Sequence, residues 1–296
     1  MSAEPTDWQP HFLAGPQGDL FALHVFPAER HPKTRGVIFC APFAEELNKT
    51  RRTVRLAASA LAAAGHEVLI VDLFGTGDSE GEFAAASWAG WVEDLKAAAA
   101  WMREERGLEH LVFWGLRTGA ALAVAAAEAA QAERLLLWQP VVKGKAFVTS
   151  FLRMRLVADR LAGGDDGDSG QNTGELRELL AAGQRVEIGG YTFSGAMCEA
   201  LDALDLLKVA PTVPVHWAEV VAAEGRPFSP ASRKLIGVWD AAGVWVDDEK
   251  VVGPSFWSTP EVAVSTALVE HCAQLGDGWR EARGSFGRRS PKADSA

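Results

Sequence analysis

Eleven consecutive residues, His110–Leu111–Val112–Phe113–Trp114–Gly115–Leu116–Arg117–Thr118–Gly119–Ala120, constrain the fold of this chain more than any other segment. An apolar, strand-like run passes straight into a Gly-x-x-x-Gly turn, and an alanine-rich helical stretch follows at once. Glycines flanking such a junction let strand and helix approach where a side chain would collide. The residue between them is pushed out above the carboxyl end of a sheet, where open α/β sheets take ligands. This is the geometry of a nucleophile elbow. Its apex is Arg117, and a guanidinium is protonated at any working pH and cannot attack a carbonyl.

The flanking sequence has the periodicity that such a turn needs. Apolar strand candidates at 37–40, 67–71, 110–114 and 135–138 alternate with helical stretches at 52–64, 87–106 and 120–131. Continuous apolar strands separated by helices predict a mostly parallel sheet covered on both faces. The alternation lapses from 141 to 207, where an inserted helical lid is expected. That stretch holds a helix over 141–161 bearing Arg153, Arg155 and Arg160, and a Gly/Asp/Ser-rich mobile loop at 163–174. Two further helices follow at 175–182 and 195–207. A strand at 213–217, a helix after Pro230, a strand at 244–252 and a helix at 259–275 complete one domain over 10–275. Residues 276–296 are polar and arginine-rich and are expected to form a disordered tail.

Charge and composition narrow the function. The 29 basic and 39 acidic residues give a net charge of −10, a field that repels nucleic acid and anionic membranes. Cys40, Cys198 and Cys272 lack metal-type spacing and are odd in number, which argues against a disulfide framework or a zinc site. A reducing compartment fits them better. The first ten residues lack a basic start and an apolar stretch, and no run is long and apolar enough for a membrane span. A cytoplasmic protein with no metal and no cofactor is the expectation.

Two more segments could line the same edge of the sheet. Asp72–Leu73–Phe74–Gly75–Thr76–Gly77–Asp78–Ser79–Glu80–Gly81 is a glycine-punctuated loop. Its three carboxylates, and the absence of a basic helix opening from it, argue against a phosphate cradle. Asp72 or Asp78 is expected to satisfy backbone N–H groups instead. Ala41–Pro42–Phe43–Ala44–Glu45–Glu46–Leu47–Asn48–Lys49–Thr50–Arg51–Arg52 follows the first central strand. It reads as a helix start with Asn48 or Thr50 as N-cap. Alternatively, Glu45 or Glu46 reaches across the cleft to Arg117. At about 4 Å and an effective dielectric near 20, such a pair is worth roughly 4 kcal/mol before desolvation.

Together, Pro42 to Arg52, Gly75–Thr76–Gly77–Asp78–Ser79, Trp114 to Ala120 and Trp138–Gln139–Pro140–Val141–Val142–Lys143–Gly144 resemble the α/β-hydrolase superfamily. More narrowly they are similar to the exosortase A system-associated hydrolase 2 family, over about residues 12–275. The resemblance implies an α/β-hydrolase fold in a bacterial protein linked to protein sorting and exopolysaccharide production, with an exosortase-system protein as partner. The superfamily's triad is missing. No histidine stands in Val251–Val252–Gly253–Pro254–Ser255–Phe256–Trp257–Ser258, after the last strand. His216 and His271 read as structural, and Glu219 or Glu224, at the orienting-acid position, has no base to orient. Cys40 reads as a buried hydrophobe, and Ser79 sits between two acids.

The leading expectation is therefore a degenerate hydrolase that binds a small anionic or acyl-type ligand through Arg117, with Glu45, Glu46, Asn48 and Gln139 lining the site. The alternatives are an ester, thioester or amide hydrolase or acyltransferase using Glu45 or Glu46 with Arg117, and a partner-binding protein using the lid.

Overall fold

The computed structural model describes residues 7–162 and 172–281. Two N-terminal strands, β1 (Asp7–Ala14) and β2 (Asp19–Phe26), form an antiparallel hairpin. The chain continues through β3 (Gly36–Cys40), α1 (Glu45–Ala63), β4 (Glu67–Val71), α2 (Trp88–Glu104), β5 (Leu111–Leu116), α3 (Thr118–Ala127) and β6 (Arg134–Trp138). An insertion follows, built of α4 (Gly144–Ala162), α5 (Thr173–Ala181), the hairpin β7 (Val186–Ile188) and β8 (Tyr191–Phe193), and α6 (Gly195–Ala203). Then come β9 (Val215–Val221), α7 (Pro230–Ala241), β10 (Val246–Val252) and α8 (Thr266–Glu281).

The main sheet has the order β1-β2-β4-β3-β5-β6-β9-β10, and it is parallel from β4 through β10. β3, β5 and β6 are buried along their whole length, which is why they are near-continuous apolar runs without alternation. One face packs on α2, α3 and α7 through Leu95, Ala123 and Trp239, and the other on α1 and α8 through Val54 and Leu268. At the amino end of β4, Glu67 is buried and receives His24 Nε2 at 2.9 Å, Arg106 at 3.1 Å and Arg30. These partners outweigh burial and hold its carboxyl down at about 2. They tie β2 to β4 at the edge remote from the cleft.

Several boundaries differ from the sequence expectation. Helix α1 starts at Glu45, seven residues before the expected 52, so neither Asn48 nor Thr50 is its N-cap. Ala44, at φ 52°, turns the chain sharply, and the two first-turn carboxylates favour the positive end of the helix. The final helix starts at Thr266 rather than 259; the stretch ahead of it is irregular, with Thr259 Oγ1 donating to Glu261 O at 2.7 Å. It continues to Glu281 with Trp279 buried, so the fold extends past 275 into the stretch expected to be tail. Residues 282–296 of that tail, and 163–171 of the expected mobile loop, lie outside the described residues. Residues 173–174 of that loop already belong to α5, which Asn172 caps. The hairpins β1–β2 and β7–β8 add strands outside the expected set, although β2 carries a largely apolar run from Leu20 to Phe26.

Candidate functional site

The turn between β5 and α3 is as strained as its glycines imply. Arg117 sits at φ 58°, ψ −117°, a region that a residue with a Cβ enters only when its surroundings hold it there. Its N–H donates to Trp138 O at 3.0 Å, and its carbonyl accepts from Val141 N at 3.2 Å. The glycines are obligatory. A Cβ on Gly115 would lie 2.4 Å from Ala120 Cα, and one on Gly119 would lie 2.0 Å from Cys40 O.

Arg117 is met by Glu46, as the cross-cleft alternative requires, and not by Glu45. Its Nε donates to both carboxylate oxygens at 3.2 and 3.3 Å, and Nη2 donates to Oε1 at 3.1 Å. Trp257 lies against the guanidinium, 5.3 Å from ring centroid to Cζ, a cation–π contact that strengthens as water is excluded. Burial pushes the Glu46 carboxyl above its ordinary value, with Arg117 and Lys49 pulling it back. Next door, Thr118 Oγ1 accepts from Phe43 N at 2.9 Å. In an acyl-transfer elbow the N–H of the β3–α1 loop helps to hold an oxyanion; here a side chain of the same chain occupies that donor.

Arg117 and Glu46 open onto a cavity of about 1090 Å³. Phe43, Val142, Phe147, Phe151 and Met154 give it apolar walls, and Lys49, Lys143 and Lys234 are also among its lining residues. Gln139 also lines it, held at φ 44° with its Oε1 accepting from Val220 N at 2.8 Å. Glu45 lines it too and accepts from Asn48 at 3.3 Å. Asn48 lies outside the lining and turns to Tyr191 of β8, whose hydroxyl it meets at 2.8 Å.

The positions where a triad would place its proton-transfer partners hold other residues. From the end of β10, the segment 251–258 holds no histidine, and Trp257 from it lies against Arg117. Glu219 lies inside β9 and not in a loop; it is buried and accepts from Ser229 N at 2.6 Å, securing the entry to α7. Glu224 is exposed. His216 faces Asp247 and Trp279, His271 pairs with Glu249 at 3.0 Å, and neither lines the cavity. Cys40 is fully buried, and burial pushes its thiol up. Ser79 accepts from Phe21 N and donates to Asp72 O, which makes the 72–81 loop structural; Asp72 in turn accepts from Asp78 N at 3.1 Å. Sequence reasoning missed Trp257, Thr118 and the three lysines. Trp257 was the one with a signal, as the bulky residue in the segment where a histidine was absent.

The strand order and the elbow define the α/β-hydrolase fold. The solved structures agree. Est1E from Butyrivibrio proteoclasticus, with ferulic acid bound, superposes with a TM-score of 0.65 at 14% identity, covering 92% of this chain and 98% of that one. XC6422 from Xanthomonas campestris, described as an α/β serine hydrolase without lid, gives 0.57 at 17%, covering 97% and 100%. An α/β serine hydrolase homologue from Coxiella burnetii gives 0.54 at 15%, covering 91% and 96%. A family model described as serine aminopeptidase, S33, matches residues 47–163. No curated protein matches the sequence. Among the described residues no helix is long and apolar enough to cross a membrane.

Proposed function

We propose that the large cavity binds an amphipathic ligand, an acyl or comparable apolar body ending in an anionic group, and that the chain does not cleave it by a serine triad. The observation that carries this reading is the Arg117–Glu46–Trp257 cluster. It places a cation, its counter-ion and a packing surface at the centre of the cleft, none of which supplies the nucleophile and base that triad chemistry needs. Arg117 Nη1 makes no hydrogen bond among the described residues, so one side of the fork stays open to an anion. Lys49, Lys143 and Lys234 add positive charge to the lining against one further carboxylate, Glu45, in a chain of net charge −10. We read residues 141–207 as the lid, since α4 supplies Phe147, Phe151 and Met154 to the wall. The resemblance of the 42–52 and 114–120 segments makes an exosortase-linked system the setting we favour.

A catalytic Glu46/Arg117 set is the second reading, favoured by the retained elbow strain. It ranks lower because three hydrogen bonds from Arg117 already engage the carboxylate that would act as base. Calorimetric titration with dodecanoate tests the binding reading. Arg117→Met and Lys49→Met should each weaken binding about tenfold, the worth of one charge-assisted hydrogen bond. Absence of binding to the wild type, or affinity unchanged in both variants, would overturn it.

A further inference from the structure

A second cavity, of about 240 Å³, lies beside α1 and shares no lining residue with the first. The same helix borders both. Glu45, Glu46 and Lys49 face the large cavity, while Leu47, Val54 and Arg55 face the small one. The small cavity exists because α1 packs chiefly on α8 and covers β2 and β4 only thinly. Trp8, on the edge strand β1, closes the gap from the side. Its floor is apolar and well buried: Phe39, Val54 and Val71 are at most 3% exposed. Apolar volume left unfilled forfeits dispersion contacts along its lining.

The mouth has a different chemistry. Arg51 and Arg55 lie four residues apart, and so side by side, on α1. Arg55 holds its guanidinium over the Trp8 ring at 5.6 Å, and among the described residues no carboxylate pairs with it. Arg51 reaches Asp72 only at 3.7 Å, the loose end of ion-pair distance. Two guanidinium groups therefore face one carboxylate above an apolar floor. A planar fork of that kind recognises a carboxylate from two sides. A cavity of about 150 Å³ accepts benzene, so this larger one has room for a ring and a short acidic arm.

We propose that this cavity is a binding site for a small aromatic carboxylate of arylacetate size. The ring lies against Phe39, Val54 and Trp8, and the carboxylate lies between Arg51 and Arg55. The assignment is independent of what the large cavity holds.

The test titrates the full chain with phenylacetate and with its neutral isostere phenylacetamide, followed by calorimetry and by backbone amide shifts. The acid should bind about tenfold more tightly than the amide, the discrimination of a charge-assisted hydrogen bond. Arg55→Met, which keeps the apolar stem, should bring the acid down to the level of the amide. Leu23→Trp, which fills the cavity from its lining, should abolish both, whereas Lys96→Met, on α2 and outside both linings, should change neither. Shifts should concentrate on Leu47 and Val54. Equal affinity of acid and amide for the wild type, absence of phenylacetate binding up to its solubility, or shifts centred on the large cavity would each overturn the proposal. The wild-type comparison decides even where a variant melts early.

Discussion

Arg117 is held in a backbone conformation that costs a residue with a Cβ about 1–3 kcal/mol, with a guanidinium at the apex of the turn. What holds it is local: hydrogen bonds to Trp138 and Val141, the three-bond fork to Glu46 and the Trp257 ring. Replacing Arg117 by Ala or by Gly removes the fork equally, but only Gly also relieves the strain. Arg117→Gly should therefore be more stable than Arg117→Ala by about 1 kcal/mol after the entropy that Gly loses on folding. Urea unfolding reads the difference, and an Ala variant as stable as the Gly variant would contradict the strained assignment. At this scale the sequence showed the apex and its two glycines, because a glycine pair at a strand–helix junction has one dominant physical reason. It could not choose Glu46 over Glu45. That choice depends on where α1 begins, and the start is set by the turn at Ala44 with no side-chain cap to mark it.

Helix α2 carries another buried carboxylate, and this one serves a loop. Asp94 is fully buried, and its Oδ2 accepts from Phe74 N at 2.9 Å, tying α2 to the loop that follows β4. Its Oδ1 has no hydrogen-bond partner among the described residues. Burial pushes its carboxyl up from 3.8 to about 6, the Phe74 bond opposing and Glu93 adding to the rise. Because the folded value exceeds the unfolded one, the stability this group contributes is complete below 3.8 and is lost as pH rises through about 6. Asp94→Asn cannot titrate, so the wild type should lose stability relative to the variant between pH 3.5 and pH 8. The loss should be about 3 kcal/mol, since each tenfold change in proton affinity between the two states is worth about 1.4 kcal/mol. Denaturant midpoints across that range check it, and a constant difference would contradict it. Element boundaries are the least legible feature in the sequence. Helix α1 reads as starting late because its first turn looks like a charged loop, and the last helix as starting early because apolar periodicity continues through Pro260.

For the molecule as a whole, the strand order brings the segments after β3, β5, β6, β9 and β10 to one edge of the sheet, where they meet around the large cavity. The central strands were readable because burial on both faces makes them uniformly apolar. Strands β1, β7 and β8 were not, because β1 is largely exposed and β7 and β8 have three residues each, whereas the largely apolar run of β2 was legible and unread. Trp257 and the three lysines reach the site from loops and helix faces far apart in the chain, and no local pattern assembles them. The cavity lining also departs from the chain's acidic balance of −10, which composition alone hides. On the proposed reading, this cleft keeps the backbone of a catalytic elbow and uses it to bind. Turnover of a panel of esters, thioesters and amides by the purified chain, run beside Arg117→Ala and Glu46→Gln, tests it most directly. The account predicts no turnover above either variant. Turnover by the wild type that vanishes in both variants would contradict it.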